Sequence, residues 1–281
     1  MNRLKKIAIT AMSLLMTFIC TISFAGCAED IRDVDVKVSI YNFSTSEVED
    51  YSFDIELYGH LAPETVKSIA GLIGDGYYND TVFYKMSKYD DQIMIGDLKY
   101  NPELEENEGF YLNDKKPTIK GEFKYGGTTG SNLKNKEGSI GLWRSWAAQD
   151  SSYNAGSSGM KTGSATWFMP TKAITTYDDY FCVFAQYDVN AENNKATFDA
   201  IKTMFSSASR YEEFVIYYTG EYDNLTFHCV KADSFVPEDI KDLFVAEANS
   251  AELVCYNYYT IKVPMTSEGL AAAKISNAKM A

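Results

Sequence analysis

Two neighbouring segments with alternating apolar and polar side chains place the strongest constraint on the fold. Residues 36–41 (VKVSIY) and 53–58 (FDIELY) both have this period of two, and a polar stretch at 44–50 separates them. Side chains of a β-strand point alternately to the two faces of a sheet, so this period is typical of half-buried strands. The two segments therefore predict an antiparallel hairpin near the start of the folded domain.

The segment after this hairpin has the period of a helix instead. Pro63 stands where a first helical turn accepts proline, and Glu64 complements the positive end of the helix dipole. The apolar residues that follow share one helical face, and they are Val66, Ile69, Ala70 and Ile73. Glycines at 74 and 76 are typical of a helix end. A helix from Pro63 to about Gly74 is expected.

The rest of the chain predicts mostly strands. Short apolar segments occur at residues 81–86, 92–95, 139–143, 167–169, 181–187, 214–218, 226–230 and 252–263, and residues 196–205 have helical spacing. The chain contains 21 Tyr and 16 Phe, and aromatic residues favour strands. Strands and helices do not alternate regularly, so a parallel α/β sheet is excluded. We expect a closed antiparallel barrel or a sandwich with helices covering its ends.

The charge of the chain argues against nucleic acid as a partner. The formal net charge is −13, and the first 26 residues contribute three basic and no acidic side chains, so removing them leaves −16. Nucleic acids and anionic lipid headgroups both attract clustered lysine and arginine and are repelled by such a surface. The acidic side chains are interpreted as a solvated surface.

The N-terminus has the layout of an export signal. Residues 2–6 are basic, residues 7–24 are apolar, and the sequence Phe24-Ala25-Gly26-Cys27 follows. Small residues directly before a cysteine resemble the bacterial lipobox, in which the cysteine is lipidated and becomes the new N-terminus. This predicts a lipoprotein anchored through Cys27 on the outer face of the bacterial cytoplasmic membrane. A plain cleaved signal peptide, giving a secreted protein, and an uncleaved anchor are the alternatives.

Few residues are suited to metal or histidine chemistry. Beyond the leader the chain has three cysteines, Cys182, Cys229 and Cys255, so at most one disulfide can form. His60 and His228 are its two histidines, and no zinc-ligand spacing or glycine-rich phosphate loop is present. No metal and no cofactor are predicted.

A series of short motifs resembles the cyclophilin family of peptidyl-prolyl isomerases. The motifs follow family order at residues 53–58, 62–66, 76–80, 82–85, 96–97, 122–123, 138–142, 167–169 and 183–185, with a looser return at 259–263. The resemblance implies a mainly β fold, a closed eight-stranded antiparallel barrel capped by two α-helices, here with insertions. It also implies catalysis of cis–trans isomerisation at Xaa-Pro bonds.

The resemblance assigns the catalytic position to Lys85, where the family has an arginine. The family's glutamine position falls on Met94, but an extra residue in the preceding turn makes Gln92 an alternative, and both share one strand face. A donor aimed at the prolyl nitrogen weakens amide conjugation and favours the twisted state. Lysine is a flexible point charge rather than a rigid fork, so a weaker catalyst is expected.

The remaining binding residues are implied by the same resemblance. Phe168 matches the phenylalanine that floors the family's proline pocket. Five other positions line the groove but depart from the family's residue types, and they are Trp143, Arg144, Thr166, Tyr177 and Phe181. Trp143 and Arg144 replace a small pair, so Trp143 is expected to narrow the groove and Arg144 to supply a second donor. The pocket remains apolar and aromatic, which suits a proline ring.

Together these patterns predict four regions. Residues 1–26 are the signal peptide ending at Cys27, 27–35 a tether, 36–265 the cyclophilin-like domain with an insertion around 206–254, and 266–281 a C-terminal tail. The expected function is isomerisation of Xaa-Pro bonds in exported or surface proteins, assisting their folding. The expected partners are their proline-containing segments. The alternative is a catalytically weakened peptide-binding or chaperone module on the cell surface.

Overall fold

Strands make up most of the secondary structure. A computed structural model describes residues 30–87, 89–113, 118–124, 133–144, 163–219, 226–236 and 258–281. The strands are β1 (Ile31–Asn42), β2 (Glu47–Tyr58), β3 (Tyr84–Met86), β4 (Tyr89–Ile95), β5 (Leu98–Tyr100), β6 (Phe110–Leu112), β7 (Ser139–Leu142), β8 (Trp167–Pro170), β9 (Cys182–Gln186), β10 (Arg210–Thr219), β11 (Thr226–Lys231), β12 (Tyr258–Met265) and β13 (Ala273–Met280). The α-helices are α1 (Pro63–Gly74) and α2 (Glu192–Ser207), and short 3-10 helices lie at Glu106–Gly109, Thr175–Tyr177 and Ala232–Ser234.

The N-terminal hairpin has the predicted antiparallel pairing. β1 and β2 pair along their whole length, from Ile31 opposite Tyr58 to Asn42 opposite Glu47. β1 begins at Ile31 and so includes part of the segment expected to be a tether, because β2 offers pairing partners as far as Tyr58. The predicted signal peptide and Cys27 lie outside the described residues. Residues 31–281 form one compact unit.

Helix α1 has the predicted boundaries and buried face. Val66 and Ile69 are fully buried, and the face packs toward β13 and β2. The first turn has an acidic cap from outside the helix, because the Glu122 carboxylate accepts the backbone N–H groups of Glu64 at 3.1 Å and Thr65 at 2.8 Å. A carboxylate at this end satisfies otherwise unpaired donors and complements the helix dipole.

Helix α2 packs on the same face of the hairpin as α1, since Phe198, Phe53 and Val66 belong to one core. Phe198 stacks on Tyr187 with ring centroids 3.9 Å apart and meets Phe53 of β2 edge-on at 5.0 Å. The Asn194 side chain accepts the backbone N–H of Asp54 at 2.8 Å. These contacts hold α2, the second predicted helix, against the hairpin. The helix begins before and ends after the range 196–205 that the sequence predicts.

The expected closed eight-stranded barrel is wrong. The main sheet has 11 strands in the order β11-β10-β12-β3-β4-β8-β7-β9-β2-β1-β13, with β11 and β13 at its edges, and β5 and β6 form a separate pair. β12 occupies the free side of β3, with Ile261 opposite Met86 and Lys262 opposite Lys85. The two edge strands, β11 and β13, do not pair with each other, so the sheet is not closed. β13 instead reaches the chain ahead of β3 through one isolated bridge, Val82 to Lys274.

The segment 266–281, expected to be a tail, contains β13. This strand pairs with β1, with Ile40 opposite Ala273 and Val34 opposite Met280. Ile275 and Ala278 are buried against the main core. The C-terminus is therefore part of the sheet.

The sheet separates two apolar cores. The larger core lies under α1 and α2 and includes Phe83, Ile95 and Trp167. The second core lies on the opposite face of β3, β4 and β8 and is extended by β10 and β12; its central members include Tyr84, Met94, Phe168 and Phe181. Among the described residues, no helix has the length and apolar character needed to cross a membrane.

Candidate active site

The register of four strands aligns one row of side chains across the second core. Tyr84 on β3 lies opposite Met94 on β4, Met94 lies opposite Phe168 on β8, and Phe168 lies opposite Gly141 on β7. Paired residues in an antiparallel sheet point to the same face. The row therefore brings Tyr84, Met94 and Phe168 together, and Met94 is one of the predicted binding residues.

Phe168 is the centre of an aromatic cluster, defined here as Trp143, Phe168, Tyr177 and Phe181. From the Phe168 ring, the ring centroids of Phe181, Tyr177 and Trp143 lie at 5.3, 5.7 and 6.1 Å, all edge-on. A Cβ atom added at Gly141 would lie 2.3 Å from the tip of the Phe168 ring, so the ring rests directly on the glycine backbone. The structure thus assembles the predicted pocket residues around Phe168, whose own exposure is 0%.

Arg144 is held at the margin of the aromatic cluster. Its Nε donates to the Tyr180 carbonyl at 2.7 Å, and its guanidinium carbon lies 4.4 Å from the Phe123 ring centroid and 5.2 Å from that of Phe181. Arginine stacks on aromatic faces while keeping its other N–H groups as donors. The predicted second donor is therefore a fixed cation beside the cluster, buried to 3% exposure.

Gln92 lies on the same face as Met94 but is separated from solvent. It pairs with Pro170 at the far end of β8, and its Nε2 donates to the sulfur of Met86 at 3.4 Å. Its exposure is 0%, and within the described part of the chain its Oε1 has no hydrogen-bond partner. A buried amide oxygen without a partner carries a desolvation cost.

Lys85 is on the other face of the sheet from Phe168. Its neighbours along β3, Tyr84 and Met86, are both buried in the second core with Phe168. Successive side chains of a strand point to opposite faces, so Lys85 points toward the helices. Its Nζ lies 5.1 Å from the ring centroid of Phe205 at the end of α2. The structure does not bring Lys85 to the aromatic cluster, and its catalytic role stays a prediction.

Tyr84 takes the place on this face that the sequence analysis gave to Lys85. Its hydroxyl donates to Oδ1 of Asp97 at 2.8 Å, and the Thr166 side chain also hydrogen-bonds to Asp97. Burial raises the pKa of Tyr84 well above its usual value, so the phenol keeps its proton and remains a donor. Burial likewise raises the pKa of Asp97, although hydrogen bonds from Tyr84 and Thr166 oppose this.

Thr166 joins this network to the aromatic cluster. Its carbonyl accepts the backbone N–H of Trp143 at 2.8 Å, and its side chain is nearly buried. Gly96 supports the same corner, because its φ is +123° and an added Cβ would lie 2.5 Å from the Ala165 carbonyl oxygen. The Gly-Asp motif at 96–97 therefore fixes the start of β8 and the chain that carries Trp143.

Sequence reasoning missed Tyr84 and Gly141, and a signal existed for only one of them. Tyr84 and Met86 flank Lys85 as two apolar residues spaced by two, which marks them as one buried face. Neighbouring residues of a strand point to opposite faces of the sheet. Tyr84 therefore shares the face of Met94 and Phe168, whereas Lys85 does not. The role of Gly141 depends on its partner Phe168 across the sheet, which local sequence does not reveal.

Two other features of the described chain bear on cofactors. No three His, Cys, Asp or Glu side chains in the described ranges are arranged to hold a metal ion. Cys182 and Cys229 are free thiols, and burial raises the pKa of each to about 12. Such thiols are poor nucleophiles at neutral pH.

Comparison with known proteins identifies the family. A model of the cyclophilin-type peptidyl-prolyl cis-trans isomerase/CLD family matches residues 40–210, which is more than half of the chain. No curated protein matches the chain. Among solved structures, the chain is similar to a cyclophilin-type peptidyl-prolyl cis-trans isomerase from Cryptosporidium parvum, crystallised in the presence of the dipeptide Ala-Pro. The two share 17% sequence identity with a TM-score of 0.36, over 57% of this chain and 83% of that one.

The family match ends where the added strands begin. It begins at Ile40, near the end of β1, runs through α2 and stops at Arg210, the first residue of β10. The predicted enzyme class, peptidyl-prolyl cis-trans isomerase, is confirmed by this match. The chain belongs to the cyclophilin-type peptidyl-prolyl cis-trans isomerase family.

Proposed function

We propose that this isomerase acts on Xaa-Pro bonds of exported or cell-surface proteins and assists their folding. The observation that carries the choice of site is the aromatic cluster around Phe168, with Gly141 beneath its central ring. Apolar aromatic surfaces with a few convergent polar groups are typical of small-ligand sites. Phe168 supplies the surface on which the proline ring rests, and Thr166 and Arg144 supply polar groups at its margin.

The proposed location follows from the N-terminal sequence. The basic segment, the apolar run and Phe24-Ala25-Gly26-Cys27 support export and lipidation at Cys27. Substrates would then be proteins crossing or standing on the outer face of the cytoplasmic membrane. Fatty-acid labelling in a bacterial host tests this, because a Cys27→Ser variant loses the label if Cys27 is the anchor and keeps it if lipid is attached elsewhere.

The chemistry requires a donor near the prolyl nitrogen. Rotation about the Xaa-Pro bond has a barrier of about 20 kcal/mol, because amide resonance resists twisting. A fixed cationic donor that interacts with the nitrogen more strongly in the twisted state lowers this barrier. Arg144 fits this role in the proposal, because its guanidinium is already positioned by Tyr180 and stacked beside Phe181.

A binding module without useful catalysis is the second candidate. The observation that favours it is the position of Lys85, whose Nζ lies near Phe205 on the face opposite Phe168. If the cation that matters for catalysis were Lys85, this site would bind proline segments without accelerating their isomerisation. Tyr84 lies on the Phe168 face where Lys85 was expected, and its hydroxyl proton is already donated to Asp97.

Exchange NMR on a short Ala-Pro peptide separates these functions. The full chain, solubilised in mild detergent, is added in catalytic amounts, and cis–trans exchange is measured beside the variants Arg144→Ala, Arg144→Lys and Lys85→Ala. The proposal expects faster exchange with the parent, a loss of at least about tenfold in Arg144→Ala, as for removal of one stabilising donor, and little change in Lys85→Ala.

Three outcomes would change the assignment. Loss of acceleration in Lys85→Ala alone would return the catalytic role to Lys85. Peptide resonances that shift without faster exchange would establish the binding module. If a Phe168→Leu variant, folded as judged by circular dichroism, accelerated exchange as well as the parent, the aromatic cluster would not be the proline site.

A further inference from the structure

The aromatic cluster is covered by its own side chains. Phe168 and Phe181 have exposures of 0% and 2%, whereas Trp143 and Tyr177 are each 8% exposed. Trp143 and Tyr177 are therefore the outer layer of the cluster, and Phe168 lies beneath them. A proline ring cannot reach Phe168 in this arrangement.

Trp143 is one of the two side chains of this cover. Its indole stacks on Phe181 at 5.2 Å with an interplanar angle of 18°, meets Phe168 edge-on at 6.1 Å, and meets Tyr259 at 6.2 Å. The indole therefore packs with its flat face against Phe181 and at nearly a right angle to Phe168.

The backbone at Trp143 is fixed while its side chain is at the surface of the cluster. The main-chain N–H donates to the Thr166 carbonyl at 2.8 Å, and the next residue is held by the bond from Arg144 to Tyr180. Because these bonds hold the backbone in place, opening of the cluster involves the Trp143 side chain and the rings that it contacts.

Part of the cover comes from outside the family match. Tyr259 belongs to β12, which lies beyond residue 210, and β12 is joined to the cluster side of the sheet through its pairing with β3. Residues of β10 and β12, including Phe214, Ile216 and Ile261, extend the same apolar core. The added strands thus support the position of the indole.

We propose that Trp143 closes the proline site in this arrangement and must turn away before a proline ring reaches Phe168. This inference rests on the proposed function, because it assumes that Phe168 is the surface where proline binds. When only a fraction of the molecules is open, the apparent dissociation constant rises by the inverse of that fraction. Removing the indole therefore tightens binding even though an aromatic contact surface is lost.

The contacts of the indole set the size of the effect. An aromatic pair of this kind changes an equilibrium constant by a factor of about 2 to 12. Trp143 makes two such contacts within the cluster, with Phe168 and Phe181. The open population in a Trp143→Ala variant should therefore rise by at least about fivefold, and the affinity for a proline peptide by the same factor.

Peptide titration with two kinds of variant tests the inference. The ligand is acetyl-Ala-Ala-Pro-Ala-amide, and the protein is the full chain in mild detergent. Trp143→Ala and Trp143→Leu should bind it at least about fivefold more tightly than the parent. Trp143→Phe keeps a ring over Phe181, so its affinity should lie between that of the parent and that of these two variants. Thermal unfolding shows which variants are folded.

A second readout needs no change in the core. The parent is labelled with 5-fluorotryptophan, and the Trp143 resonance is assigned by its loss in Trp143→Phe. If the indole turns away, this ¹⁹F resonance shifts on peptide addition with the same midpoint as binding. A resonance that stays unchanged while the peptide binds overturns the inference, and this result is obtained even if the alanine and leucine variants fail to fold.

The outcomes separate this inference from the proposed function. If parent and folded Trp143→Ala bind equally and accelerate exchange equally, the closing role of Trp143 is wrong and the isomerase site stands. If neither the parent nor any folded Trp143 variant binds the peptide, both the closing role and the Phe168 site are wrong. Tighter binding by Trp143→Ala together with a shifting ¹⁹F resonance supports both.

Discussion

Replacement of Gly141 by alanine is the sharpest test of how the site is built. An added Cβ would lie 2.3 and 2.4 Å from two atoms of the Phe168 ring and 3.1 Å from a third, where ordinary contact begins at 3.4 Å. The ring has 0% exposure and three aromatic neighbours, so it cannot move by 1 Å without displacing them. Overpacking of this kind costs about 1–3 kcal/mol.

The cost should be measurable by urea unfolding. We expect Gly141→Ala to lower the free energy of unfolding by about 2 kcal/mol. In a domain of this size, that change lowers the melting temperature by about 4–8 °C. The denaturant slope should stay the same, since the unfolded surface does not change. Prolyl exchange catalysed by the variant should also fall, because the Phe168 ring is displaced.

Gly71 provides a matched control. It lies within α1, has an ordinary helical backbone, and an added Cβ would meet nothing within 4 Å. Glycine is less favourable than alanine inside a helix, so Gly71→Ala should raise stability by up to about 1 kcal/mol. The same chemical change is thus expected to have opposite signs at the two glycines.

A double mutant tests whether the ring itself is the cause. Phe168→Leu removes the ring atoms nearest to Gly141, so Gly141→Ala should cost less in that background than in the parent. If Gly141→Ala were neutral in the parent, or if its cost were the same with leucine at 168, the close packing of Phe168 on Gly141 would be refuted.

Three further changes test other parts of the fold. Burial raises the pKa of Asp97, so the native state binds its proton more tightly than the unfolded state; its contribution to stability is complete below the ordinary value of 3.8 and is lost as pH rises through the raised pKa. The stability of the parent relative to Asp97→Asn should therefore fall as pH rises from 3.8, and a pH-independent difference in urea unfolding would contradict this. Gln92→Met should raise the unfolding free energy by about 1 kcal/mol, because it removes a buried amide oxygen without a partner, and lower stability in urea would show that the oxygen is satisfied. Glu122→Ala should cost about 1–2 kcal/mol in thermal unfolding by removing the acceptor at the start of α1. Glu137→Ala, which breaks only an exposed ion pair, is its control and should cost at most about 1 kcal/mol.

The N-terminal half of the fold follows from local sequence. The period of two at residues 36–41 and 53–58, and the change to helical spacing after Pro63, predict β1, β2 and α1 because each element carries its own pattern of burial. The family motifs likewise predict the strand positions that surround Phe168. These features depend on residues close together in the chain.

The donor on the Phe168 face was missed for a different reason. Lys85 and Tyr84 are adjacent, and only the register between β3 and β4 decides which of them shares a face with Met94 and Phe168. The order of residues in a motif does not show which face each side chain takes, because a shift of one residue turns it to the other face. β13 was missed because Ala273 and Ala278 are small, so its buried face has little apolar signal.

The sequence by itself determined that the chain is a mainly β member of its family with two helices. Only the tertiary structure decided that β12 takes the free side of β3, that Lys85 faces α2, and that Trp143 covers Phe168. The sequence of each strand predicts which of its side chains are buried, because apolar residues are placed away from solvent. Strand neighbours and ring contacts depend on residues far apart in the chain, and no single segment carries that information.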